Sequence, residues 1–98
     1  MELEIEREER LEKWAEFLKA LAHPIRLKII SALIEGRQCV KNLSDLLHTS
    51  QPNVSQHLSV LRNKGIVGCK RDGSIVCYYI KDQRVIEIYK ILSQGGGI

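Results

Sequence analysis

The stretch from Thr49 to Asn63, TSQPNVSQHLSVLRN, holds the side chains best suited to recognition chemistry. Taken as a helix at about 100 degrees per residue, it brings Pro52, Gln56, Ser59 and Asn63 onto one face, with Asn53 and Ser55 on the flanks. Val54, Leu58 and Leu61, spaced by four and three, form the opposite apolar stripe. Ser50 stands where an N-cap is needed, and Pro52 in the first turn gives up only an N–H with no intrahelical partner. A solvated helix face usually carries Glu and Lys, whereas this one is almost uncharged until Arg62. Amides and hydroxyls suit the base edges of a DNA major groove, where Gln or Asn bonds adenine bidentately and Ser donates or accepts. The expected chemistry is base recognition by this helix.

The rest of the chain has to hold that helix in place. Glu2 to about Ala22 reads as a first helix, with Leu11, Trp14, Ala15, Leu18, Leu21 and Ala22 at helical period against a Glu-rich face. Leu3 and Ile5 would be exposed in a monomer. Pro24 opens a second, nearly all-apolar helix to about Ile34, with His23 as its capping residue and Gly36 as a left-handed end. A short strand over Gln38 to Val40 precedes a third helix, Leu43 to His48, capped by Asn42 and facing the core with Leu43, Leu46 and Leu47. That helix, a turn at His48 to Ser50 and the opening stretch make a helix-turn-helix. Two strand-like runs, Ile66 to Lys70 and Ile75 to Lys81, flank Asp72-Gly73, a hairpin signal. Asp82 caps a last helix with Val85, Ile88, Tyr89 and Leu92 on one stripe and Ile86 and Ile91 beside it; Gln94 to Ile98 reads as a frayed tail. The predicted fold is mainly α with a small antiparallel β-hairpin wing, a single winged helix-turn-helix domain over residues 1–98.

Composition agrees with this reading. With 98 residues, 44% of them apolar, the chain supports one small core, and extra burial in a dimer would help it. Residues 1–20 hold seven acids against four bases, and residues 21–98 hold eleven bases against five acids. The body beyond the first helix is thus basic, as phosphate contact requires. No run approaches the roughly 20 apolar residues that span a bilayer, and the acidic N-terminus is unlike a signal peptide. A cytoplasmic location with no membrane partner is expected. No glycine-rich phosphate loop, HExxH or local catalytic constellation is present, so an enzyme is not expected. The rival to DNA binding is a winged helix used only for protein interaction, which should expose large apolar anchors where this helix has Gln, Asn and Ser.

LKALAHPIRLKIISAL, CVKNLSDLL, SQPNVSQHLSVLRNKGIV and DGSIVCYYI together resemble the ArsR/SmtB family of bacterial winged-helix repressors, over about residues 18–81. The resemblance implies a homodimer on a palindromic operator, released by an inducer that is usually a metal or metalloid ion. It implies that the first and last helices form the dimer interface, giving Leu11, Trp14, Val85, Ile88 and Leu92 that role. A dimer also follows from physics: one helix reads only a few base pairs, and two helices about 34 Å apart read two half-sites. On this scheme Gln51, Asn53, Ser55, Gln56 and Ser59 contact bases in double-stranded DNA, while Arg62, Lys64, Lys70 and Arg71 contact phosphates. His57 sits toward the core side of the helix, packed or touching a phosphate.

The inducer site departs from the family pattern. Many metalloid-sensing members carry two cysteines one residue apart at the start of the third helix; here the segment is Cys39-Val40-Lys41. Zinc-sensing members use histidines on the last helix, and this one has none. Cys39, Cys69 and Cys77 remain as sensor thiols, for redox change or for a thiophilic metal or metalloid ion; no other cofactor is expected. Against this stands a purely structural reading, since free Cys behaves as a small hydrophobe. A three-residue hairpin loop pairs Arg71 with Ile75 and sets Cys69 opposite Cys77; a two-residue loop pairs Cys69 with Val76 and separates the thiols. In this fold the short strand at Cys39 normally pairs with the second wing strand, bringing Cys39 near Cys77.

Overall fold

The computed structural model describes residues 2–95. Five helices and three strands follow in the order α1 (Glu2–Leu21), α2 (Pro24–Glu35), β1 (Gln38–Cys39), α3 (Val40–Leu47), α4 (Gln51–Asn63), β2 (Val67–Asp72), β3 (Ile75–Ile80) and α5 (Arg84–Gln94). The strands form one antiparallel sheet in the order β1-β3-β2, so the fold is a winged helix-turn-helix. Of the tail expected from Gln94, Gln94 ends α5 and Gly95 is a turn; residues 96–98 lie outside the described residues, as does Met1.

Packing follows the apolar pattern of the central elements. Ile29, Ile30 and Leu33 of α2 meet Val54, Leu58 and Leu61 of α4, with Leu43 of α3, Ile66, Val67 and Val85 completing the buried core. His23 caps α2, its Nδ1 accepting the Ile25 N–H at 3.1 Å. Ser31 Oγ and Tyr89 Oη share a hydrogen bond of 3.0 Å that ties α2 to α5. Asp82 accepts the Arg84 N–H at 3.0 Å at the start of α5. The Arg84 guanidinium reaches the same carboxylate at 2.6 Å and holds it below the usual carboxylate range. That guanidinium also lies 4.5 Å over the Phe17 ring, fastening α5 to α1.

Several local expectations are corrected. In α1 the buried residues are Phe17, Ala20 and Leu21, while Leu11, Trp14 and Leu18 face outward. α3 begins at Val40, directly after the strand, so Asn42 lies inside the helix and Cys39 holds the N-cap position. Leu43 is buried but Leu46 is 58% exposed, because a two-turn helix lying on α2 and α4 can bury only one narrow stripe. Gly36 ends α2 with extended backbone, its N–H bonding Leu33 O at 3.1 Å, and is not left-handed.

The hairpin adopts neither of the two registers expected from sequence. Asp72 pairs with Ile75, leaving Gly73 and Ser74 as the loop. Gly73 has φ +67 and Ser74 is not positive, the pattern of a turn that requires glycine at its first central position. An Asp72-Gly73 turn would instead need Asp72 at positive φ. Side-chain packing agrees with the observed pairing. Tyr78 and Ile80 pack on the core, Ile80 sits opposite the buried Val67, and the Tyr79 ring lies over Gly68, where a Cβ would come within 2.6 Å of it. A slip of one residue would turn Tyr78 and Ile80 out to solvent.

Candidate nucleic-acid interface

The helix-turn-helix is built by short-range rules. α3 ends at His48, whose left-handed backbone (φ 53, ψ 46) breaks the helix and redirects the chain. Ser50 then caps α4, its Oγ accepting the Asn53 N–H at 3.2 Å, with Pro52 in the first turn. Val54, Leu58 and Leu61 are buried, anchoring α4 by its inner stripe. As a result Gln51, Ser55, Gln56 and Ser59 stand exposed on one side of α4, with Asn53 half-buried at its edge.

These side chains are not equally available. Asn53 Nδ2 donates to Thr49 Oγ1 at 2.9 Å, and Ser59 Oγ donates to Ser55 O at 3.0 Å. Gln51, Ser55 and Gln56 make no side-chain hydrogen bond among the described residues. Of the expected phosphate contacts, Arg62, Lys70 and Arg71 are exposed and outside any ion pair among the described residues. Lys64 lies 3.6 Å from Glu16 of α1, so a phosphate would compete with that carboxylate. No large apolar residue of α4 is exposed.

A cluster not singled out in the sequence supports the helix from behind. Arg26 of α2 donates from Nε to His57 Nδ1 at 3.3 Å and from Nη1 to Ala20 O at 3.0 Å, joining α4 to the end of α1. The His23 and His57 rings lie 4.3 Å apart. His57 is thus packed on the inner side of α4. Positions 26 and 57 share no local pattern, so only the fold reveals their contact. Burial foremost, then the neighbouring His23 and Arg26, hold the His57 imidazole below its usual range. A depressed value in the folded state means that the cluster's stabilisation is present above the unfolded imidazole value, about 6.5, and is lost as pH falls through the folded value. Denaturation midpoints should therefore drop between pH 7.5 and pH 5, and the drop should shrink in His57→Gln. An equal drop in both proteins would exclude His57 as its source.

The sheet brings two of the three thiols together and sets the third apart. Cys39 pairs directly with Cys77 across β1 and β3, whereas Cys69 pairs with Tyr78 and so lies on the opposite face from Cys77. Among the described residues no three His, Cys, Asp or Glu side chains of the single chain come together as a metal-ligand group.

The residues expected at a dimer interface divide. Leu11, Trp14 and Leu92 are half or more exposed, and Ile88 is half-buried. Val85 is 2% exposed within the single chain. Its place at an interface is corrected: it packs inward against the core and has no surface left for a partner. Trp14, Leu18, Ile88 and Ile91 line an open groove of about 460 Å³ between α1 and α5.

Comparison with known proteins agrees with this architecture. Residues 23–68 match the family model described as bacterial regulatory protein, arsR family. An HTH-type transcriptional regulator of Methanocaldococcus jannaschii is 42% identical over 87 residues, spanning 88% of this chain and 98% of the relative. The HTH-type transcriptional repressor SmtB of Mycobacterium tuberculosis is 42% identical over 80 residues, 82% of this chain but only 59% of its own length. Among solved structures, NolR from Sinorhizobium fredii superposes with a TM-score of 0.87 at 36% identity, covering 94% of this chain and 92% of that one. The transcriptional repressor BigR from Xylella fastidiosa gives 0.84 at 30% identity, covering 97% of each. The relatives from M. jannaschii, M. tuberculosis and X. fastidiosa are regulators of transcription, not enzymes. The chain belongs to the ArsR/SmtB family of DNA-binding winged helix-turn-helix transcriptional regulators.

Proposed function

We propose that this protein is a cytoplasmic, homodimeric repressor that holds a palindromic operator with two copies of α4 and leaves it when an inducer acts on its thiols. The observation that carries the reading is the exposed amide and hydroxyl face of α4, free of acidic side chains and of large apolar ones. Gln51, Asn53, Ser55, Gln56 and Ser59 read bases, while Arg62, Lys64, Lys70 and Arg71 hold phosphates. A protein-interaction module would need apolar anchors on the same face, and α4 exposes none. No helix among the described residues is long and apolar enough to cross a membrane.

Dimerisation is supported by the shape of the chain. Every residue from Glu2 to Glu16 is exposed, and the radius of gyration is 15.1 Å. A compact domain of 100 residues has about 13 Å. The excess is consistent with α1 projecting from the core, its apolar face uncovered. A homodimeric winged helix-turn-helix domain from Mycobacterium bovis, described as a possible ArsR-family regulator, has the same fold at a TM-score of 0.81.

Selecting duplexes from a random pool and titrating the enriched sequence by fluorescence anisotropy tests the reading; enrichment without an inverted repeat would overturn the palindromic part. Arg71→Ala should weaken enriched and random duplexes alike. It should also lower the log–log salt slope by roughly 1 for each phosphate left without its cation, hence roughly 2 per dimer. An unchanged slope would remove Arg71 from the phosphate set. Operator affinity measured under reductant, oxidant, As(III) and Zn(II) identifies the inducer class; no response to any of them would sink release through the thiols.

A further inference from the structure

We propose that Cys39 and Cys77 form a reversible disulfide that joins the start of α3 to the wing and lowers operator affinity, with Cys69 taking no part. This rests on the reading that an inducer acts on the thiols, and it names the pair and the chemistry.

The geometry comes from the register. Cys39 of β1 and Cys77 of β3 are direct antiparallel partners. Whether such a pair is hydrogen-bonded or not, its Cα atoms stand roughly 4.5–5.5 Å apart, inside the roughly 4.4–6.8 Å window that a disulfide accepts. Direct partners also carry their side chains on the same face of the sheet. That face is the outer one, because the alternate residues of β3, Tyr78 and Ile80, pack against the core. Both thiols are half-buried, hence within reach of a small oxidant. Cys69 pairs with Tyr78 on the inner face and cannot reach Cys77 without a change of register.

The chemistry needs a two-electron oxidant, hydrogen peroxide. One thiol loses its proton and attacks a peroxide oxygen; the O–O bond breaks, water leaves, and a sulfenic acid remains. The second sulfur attacks the first, its proton and the hydroxyl leave together as water, and the S–S bond forms. Two thiols are oxidised by two electrons in all, and one peroxide is reduced to two waters. A dithiol reverses the step by exchange.

The consequence for DNA follows from what the two cysteines join. Cys39 is the N-cap residue of α3, the first helix of the helix-turn-helix, and Val40 begins the helix immediately after it. Cys77 lies between Cys39 and Lys70 of β2, one of the wing residues assigned to phosphate. Closing the bond draws the Cβ atoms from roughly 4.5–5.5 Å to about 3.8 Å. The shift falls on the end of the helix that positions α4 and on the strand that carries the wing, so a fit to groove and backbone set in the reduced state is lost.

The full chain should be treated with hydrogen peroxide, its remaining thiols blocked, and digested for mass spectrometry. Expected is a Cys39–Cys77 linked peptide, lighter by two hydrogen atoms than the two reduced peptides, present in the parent and in Cys69→Ser. The ratio of oxidised to reduced operator Kd should rise by about 10-fold in both, within the usual range of coupling between two sites, and return on dithiol treatment. In Cys39→Ser and Cys77→Ser the ratio should stay near one. A link through Cys69 or between chains would overturn the proposal, as would a Cys39–Cys77 link that leaves Kd unchanged. A full oxidative response in Cys39→Ser would overturn the pair while leaving thiol-based release standing. Absence of operator binding by the reduced chain would count against the DNA-binding reading itself, and the peptide map would still decide whether the pair bonds.

Discussion

Trp14→Glu combined with Ile91→Glu should give a folded chain that sediments at its monomer mass of 11.2 kDa and loses operator affinity. Trp14 and Ile91 are 50% and 66% exposed in the single chain, so neither change disturbs the core formed by α2, α4 and the wing. Both line the groove between α1 and α5, where a second copy would bury them. Burying a carboxylate there without a partner costs several kcal/mol, and a twofold interface counts each substitution twice. A monomer reads one half-site and keeps little beyond electrostatic attraction, so affinity for the operator should fall toward the non-specific level, roughly 10³-fold or more weaker. Sedimentation equilibrium reads the mass, circular dichroism the fold, and anisotropy the affinity. A doubly substituted chain that stays dimeric and bound would place the interface elsewhere.

Gln56→Ala should leave the fold intact and erase discrimination at one base pair in each half-site. Its side chain is exposed at the middle of α4 and makes no hydrogen bond to another described residue, so none has to be broken before it meets a base. One bidentate contact is worth about 1–3 kcal/mol of discrimination, hence about 2–6 kcal/mol over the two copies in a dimer. Affinity for random duplex should hardly move. Asn53→Ala and Ser59→Ala should cost less, because Asn53 is already bonded to Thr49 and Ser59 to the Ser55 carbonyl. An equal loss on operator and random duplex would take Gln56 out of the reading set.

The parts of the fold that are legible in the sequence share one property: each is decided by residues a few positions apart. The buried stripe of Val54, Leu58 and Leu61 follows from helical period, the caps at His23 and Ser50 from one side chain reaching a nearby N–H, and the wing from a glycine between two alternating runs. Where sequence and structure part, two answers are locally equivalent. Period identifies the apolar stripe of Leu11, Trp14 and Leu18 on α1 but not whether it meets its own core or another surface, and the residues of α1 that the core buries are Phe17, Ala20 and Leu21. Asp72-Gly73 and Gly73-Ser74 are both acceptable turns, and the packing of Tyr78, Ile80 and Val67 chooses between them.

By itself, then, the sequence determined the helices, the wing and the uncharged outer face of α4, because helical period, capping and turn chemistry act within one or two turns of chain. Tertiary structure alone decided which cysteines face each other, that Arg26 braces α4 through His57, and that Val85 turns inward while Trp14 stays exposed. Those relations join segments tens of residues apart, and their distances and register are set only when the core closes around α2 and α4.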